Sequence, residues 1–206
     1  MSSFGFSLAE SAISGAFKSV NPFVRDRPSG GINWADYNYP PFFCIMHYDI
    51  DDIKSEDVAK EVVKMHRIFL ISVATCLLNL IDNIIDATFY AQASWNWVIY
   101  SVLNTLLIVP IFLYIFYTGF KSLAAMDSIL LQKYSIMAVI QAIFVFLFAL
   151  MPFGALNGLL SFAMYKVTWF WAVAVVVEST LWTVAFALCV SSLIYVTRKD
   201  SPQSIV

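Results

Sequence analysis

The chain has 206 residues, 60% hydrophobic and only 13% charged, with a formal net charge of −2. A soluble domain of this size carries about 25% charged residues, and a near-neutral balance offers nothing for nucleic acid to hold. The composition therefore excludes a conventional soluble enzyme and a nucleic-acid binder.

The N-terminal arm, residues 1–33, comes first. Within Phe4–Val20, Phe6, Ile13 and Phe17 fall at helical spacing on one face, with Ser7, Ser11, Ser14 and Lys18 opposite. That pattern predicts an interfacial helix that binds membrane through its apolar face and responds to lipid packing; a tail without regular structure is the alternative. Asn21, Pro22 and Phe23 follow as an Asn-Pro-Phe turn, the form of a linear ligand for Eps15-homology domains. The arm lacks a basic region followed by an unbroken apolar core, so no cleavable signal peptide is expected. Arg25-Asp-Arg-Pro-Ser-Gly-Gly then reads as a polar linker.

Residues 34–67 form a juxtamembrane segment. It holds Asn38-Tyr-Pro-Pro-Phe-Phe-Cys-Ile-Met-His-Tyr-Asp-Ile and an amphipathic stretch, Lys54–Lys64. Pro40 and Pro41 are expected at the membrane interface. Cys44, Cys76 and Cys189 suggest neither a disulfide framework nor a zinc site, although Cys44 is placed where palmitoylation occurs. His47 and His66 lack the local partners a metal site needs, and no cofactor is expected.

Residues 68–196 carry four apolar runs, Ile68–Ala91, Trp97–Phe120, Tyr134–Leu156 and Val167–Val196. A helix needs about 20 mostly apolar residues to cross the hydrocarbon core, and barrel-type alternation is absent. The fold class is therefore all-α: a polytopic integral membrane protein with four transmembrane helices. Pro110 sits inside the second run, where a kink is expected. Met151-Pro-Phe-Gly and Asn157-Gly break the third, and the Gly154/Gly158 pair suits either a close helix contact or a turn.

Lys60, Lys64, Arg67, Lys121, Lys133, Arg198 and Lys199 flank one side of the runs, against Lys166 alone on the other. The positive-inside rule then predicts both termini cytosolic. Trp95, Trp97, Tyr165 and Trp169 collect by the opposite turns as interfacial aromatics.

Asp82, Asp86 and Glu178 lie within the spans, and no Lys or Arg accompanies them there. Carboxylates at such depth are costly and raise a functional hypothesis, here a proton or cation path. The alternative is helix–helix glue through Asn79, Asn104 or Thr183. The 197–206 tail ends in Ser204-Ile-Val206, the form of a PDZ ligand.

The Asn38-to-Ile50 segment, the acidic stretch after it and the spacing to the first span resemble the secretory carrier-associated membrane proteins. So do Leu77-Leu-Asn-Leu-Ile, Val177-Glu-Ser-Thr-Leu-Trp and the Asn-Pro-Phe motif. Phe116-Tyr-Thr-Gly-Phe-Lys-Ser is similar to that family's amphipathic loop between spans two and three, which would put Phe116, Phe120 and Lys121 at the membrane interface. The chain departs from the family in having one Asn-Pro-Phe, no N-terminal coiled coil and no Trp-Tyr-Arg-Pro element in the central loop. The resemblance therefore does not extend to phosphoinositide binding by that loop.

The resemblance implies a non-catalytic carrier of post-Golgi, endosomal and secretory-vesicle membranes, acting in trafficking and fusion. Its implied partners are the bilayer and Eps15-homology-domain proteins, beside a PDZ partner, a second copy or a larger membrane complex. The competing reading is a small channel, transporter or accessory subunit using Asp82, Asp86 and Glu178.

Overall fold

A computed structural model describes residues 31–90, 94–165 and 168–200. The arm calls at Phe6, Ile13, Phe17, Asn21, Pro22 and Phe23 lie outside the described residues, as does the Ser204–Val206 tail. The chain divides into two units, Met1–Tyr48 and Asp49–Val206.

The described part of the first unit is a small hairpin. Prolines 40 and 41 have no N–H to donate, and the chain turns there. Tyr39 pairs antiparallel with Met46 in an isolated bridge, the N–H of each donating to the other's carbonyl at 2.9 Å. Asn38 fastens the base: its N–H donates to the Met46 carbonyl at 3.0 Å, and its Oδ1 accepts from the Tyr48 N–H at 2.8 Å. His47 Nδ1 donates to the Asp36 carbonyl at 3.0 Å, and its ring meets Trp34 edge-on. Thus the Asn-Tyr-Pro-Pro sequence is a turn closed by its own polar atoms.

The second unit is a helical bundle. A 3-10 turn, Ile50–Asp52, precedes α1, Glu56–Ile85, with Glu56 and Asp57 in its first turn, where the helix dipole favours acids. Thirty residues at a rise of 1.5 Å make about 45 Å, more than the ~30 Å hydrocarbon core. The predicted juxtamembrane helix and first span are therefore one unbroken rod. It ends in a π turn, Asp86–Tyr90.

Helix α2, Trp95–Ala124, is capped by Ser94, whose side chain accepts from the Asn96 N–H, and continues through Pro110. Helix α3, Ser128–Leu150, is capped by Asp127, whose Oδ1 accepts from the Ile129 and Leu130 N–H groups at 2.9 and 3.1 Å. Helix α4 runs from Trp169 to Asp200. All four are long and apolar enough to cross a membrane.

Each helix packs against two others: α1 on α2 and α4, and α3 on α2 and α4. Leu103, Leu106, Leu107 and Ile111 of α2 point outward, while Ser72, Thr75, Asn79, Ser101, Gln141 and Ser179 are buried. This distribution suits a lipid solvent, which accepts apolar side chains freely and leaves polar ones to bond across helices. Gly119 permits a close approach among α1, α2 and α3. A Cβ there would lie 2.8 Å from Met65 Sδ and from the Tyr134 ring.

Two expectations change. Only Ala125–Asp127 separate α2 from α3, so Phe116-to-Ser122 is helix rather than an amphipathic loop. Phe116 and Phe120 are buried in the bundle instead of facing lipid or water, because their spacing puts them on the inward side of α2 beside Phe69 and His66. Lys121 follows on the same helix, half-buried. The third run also ends early, at Leu150, and the chain from Met151 to Thr168 makes a longer connection than predicted.

Candidate functional site: an intramembrane carboxylate and amide cluster

The long connection between α3 and α4 folds inward. Its Leu159 and Leu160 N–H groups donate back to the Ala149 and Leu150 carbonyls at the end of α3. Gly154 takes a left-handed φ of 63° at the bend. At Gly158 only a hydrogen fits, since a Cβ would stand 2.5 Å from backbone atoms of Leu150 and Met151. The result carries Ala155, Leu156, Asn157 and Ser161 into the bundle, each no more than 1% exposed.

A buried loop brings backbone groups that must be satisfied. Helix α1 supplies the donors. Its Asn79, Asp82, Asn83 and Asp86 recur at three- and four-residue spacing along one face. Asn79 Nδ2 donates to the Ala155 carbonyl at 2.7 Å, and Asn83 Nδ2 donates to the same oxygen at 3.1 Å. Ser101 of α2 ties the two amides together, donating to Asn79 Oδ1 and accepting from Asn83 Nδ2, both at 2.9 Å.

Glu178 of α4 is 1% exposed and lies at the centre. Its carboxylate accepts from Asn79 Nδ2 at 3.1 and 3.2 Å, from Asn157 Nδ2 at 2.8 Å and from the Asn157 backbone N–H at 3.3 Å. The same Asn157 amide donates to Asp82 Oδ2 at 3.1 Å. Asn157 Oδ1 accepts from Trp171 Nε1 at 2.8 Å, and its carbonyl accepts from Ser179 Oγ at 3.1 Å. Asn157 thus links the loop to α1 and α4 together. Amide donors, rather than a Lys or Arg, reach these carboxyl groups.

An aromatic layer covers this end of the bundle. Trp97 meets Tyr165 and Trp171 edge-on with ring centres 5.8 Å apart, and Tyr90 stacks on Phe170 at 5.1 Å. Interfacial aromatics of this kind sit at headgroup level.

The cluster therefore brings Asp82 and Glu178 together through one amide. Asp86 is buried a turn further along, where its N–H closes the end of α1 on the Asn83 and Asp82 carbonyls. Of the expected glue residues only Asn79 takes part. Thr183 donates to the Ser179 carbonyl, and Asn104 lies beside Gly154. Sequence reasoning missed Asn83, Ser101, Asn157 and Trp171. The four-residue spacing of Asn79 and Asn83 was the available signal.

At the opposite end, where α1 begins and α4 ends, Lys64 Nζ donates to Glu61 Oε2 at 2.8 Å and to Ser191 Oγ at 3.0 Å. A cavity of about 330 Å³ there is lined by Ser55, Asp57, Lys60, Glu61, Lys64 and Tyr195. No group of His, Cys, Asp and Glu suited to a metal ion occurs among the described residues.

The sequence model of the SCAMP family matches residues 36–200. The chain belongs to the SCAMP family. It is accordingly a helical membrane protein of a vesicle-trafficking carrier family with no known enzymatic role, and the four spans of this SCAMP agree with that membership. No curated protein and no solved structure matches the chain. The matched region begins in the hairpin unit and covers every residue of the polar cluster.

Proposed function

We propose that this SCAMP is a non-catalytic tetraspan carrier of post-Golgi, endosomal or secretory-vesicle membranes. It organises the bilayer around its four helices and recruits endocytic factors through Asn21, Pro22 and Phe23, in support of vesicle trafficking and fusion. In this reading both termini are cytosolic, and the arm residues Phe6, Ile13 and Phe17 lie on the membrane surface.

The observation that carries the scaffold reading is the engagement of Glu178. Both of its oxygens accept hydrogen bonds from Asn79 and Asn157, and through Asn157 it holds the α3–α4 loop. A carboxylate so engaged serves to fix architecture. A transport role would need it to exchange these bonds for a moving ion.

Affinity purification in mild detergent followed by mass spectrometry tests the function. Eps15-homology-domain proteins should co-purify with the wild type and be lost with Phe23→Ala. A stoichiometric membrane complex, unchanged in that variant, would instead make the chain an accessory subunit.

A further inference from the structure

The hairpin of residues 38–48 ends in five consecutive exposed residues without a charge, Pro41-Phe-Phe-Cys-Ile45. Phe42 is 94% exposed, Phe43 76% and Ile45 59%. Bare aromatic rings on a tight turn are costly in water and mark an interaction surface.

The backbone at the tip is prepared for an apolar surrounding. Pro40 and Pro41 have no N–H. The N–H groups of Phe43 and Cys44 both donate to the Pro40 carbonyl, at 3.0 and 2.8 Å. Those of Ile45 and Met46 donate to the Tyr39 carbonyl, at 3.0 and 2.9 Å. The four consecutive backbone donors from Phe43 to Met46 are thus satisfied inside the hairpin, and the Phe42 N–H at the apex is the one donor between Pro41 and Met46 outside this set. A protein groove with polar groups of its own makes no such demand, but lipid does, because it offers a backbone donor no partner.

The side chains grade in the same sense. Behind the apolar tip come Tyr37, Tyr39 and Tyr48, amphipathic rings of the kind found at headgroup depth. Burial pushes the Tyr39 phenol up to about 12, so it stays neutral at physiological pH. The first acids on either side are Asp36 and Asp49, beyond this collar. Only seven residues, Asp49–Ser55, separate the hairpin from the start of α1. Extended, they reach at most about 25 Å, which bounds the length of chain between the hairpin and the start of α1.

The geometry points to a membrane finger: Phe42, Phe43 and Ile45 insert into the lipid interface. Its partner is the acyl and headgroup boundary of the bilayer, not a second protein. Pro40 and Pro41 shape the finger, and the phenylalanines beyond them make the contact. The inference takes from the preceding reading only that the chain spans a membrane, and it stands or falls separately from the trafficking role.

Cys44, at the tip, is an exposed free thiol, whereas Cys76 and Cys189 are buried. A nitroxide attached to Cys44 of the full chain in liposomes therefore reports tip depth. Collisions with oxygen, which concentrates in lipid, should exceed those with a water-soluble nickel complex. Phe42→Asp/Phe43→Asp should reverse that preference while the bundle keeps its thermal stability. A wild-type label open to nickel would overturn the proposal. So would a label shielded from both reagents, which would mean a protein contact. A label that stays deep in the double variant would mean that something other than the rings holds the tip, and would equally defeat it.

Discussion

Asn157 Nδ2 lies 2.8 Å from Glu178 Oε1, so a loop residue and a mid-helix carboxylate hold each other inside the bundle. Neither side chain is more than 1% exposed. Removing either leaves the other buried among groups that cannot replace it.

Asn157→Ala deletes donors to Glu178 and Asp82 and the acceptor for Trp171 Nε1. A loss of about 1–3 kcal/mol is expected for an orphaned buried polar group. Size-exclusion thermostability in detergent should fall clearly. Glu178→Gln, which keeps one acceptor oxygen, should fall less than Glu178→Ala. Equal stability of all three variants and the wild type would remove the latch from the account.

Gly158→Ala places a methyl group 2.5 Å from backbone that cannot rotate away. Overpacking of this kind costs about 1–3 kcal/mol. Gly119→Ala meets side-chain atoms of Met65 and Tyr134 at 2.8 Å and should be milder, because the thioether can move. Melting curves of the two variants side by side test the order, and the reverse order would count against the inward-folded loop.

In liposomes the wild-type protein should pass no more protons or sodium than empty vesicles. Asp82→Asn should retain the hydrogen bond to Asn157 and be tolerated. A reproducible flux removed by Asp82→Asn or Glu178→Gln would promote the transporter reading over the scaffold.

On sealed vesicles, protease added outside should digest the N-terminal arm if that face is cytosolic. A peptide of residues 1–24 should bind small liposomes better than large ones, and its Phe23→Ala version should lose an Eps15-homology domain without losing the liposomes. Protection of an N-terminal epitope would reverse the orientation.

The sequence was most legible where physics needs only length. Four apolar runs are enough to expect four helices, and four occur among the described residues. The side each helix turns inward was less legible. In a soluble helix the buried stripe stands out against polar neighbours. Here Phe116 and Phe120 face protein while Leu106 and Leu107 face outward, and all four are apolar. The resemblance that suggested an amphipathic loop had no polar contrast to correct it. The carboxylates were visible as anomalies, but their partners lie 21 to 99 residues away in sequence and meet only in the fold.

The cluster also constrains how the protein is made. Helix α1 emerges from the ribosome with Asn79, Asp82, Asn83 and Asp86 along one face, yet Asn157 and Glu178 are synthesised much later. Until then, that face needs a substitute partner at the insertion machinery or must stay shielded by α2, where Ser101 is already available. A chain ending before α4 would lack Glu178, and Asn79 would lose its carboxylate partner. The polar face of the first helix is therefore fully partnered only when the last helix is in place.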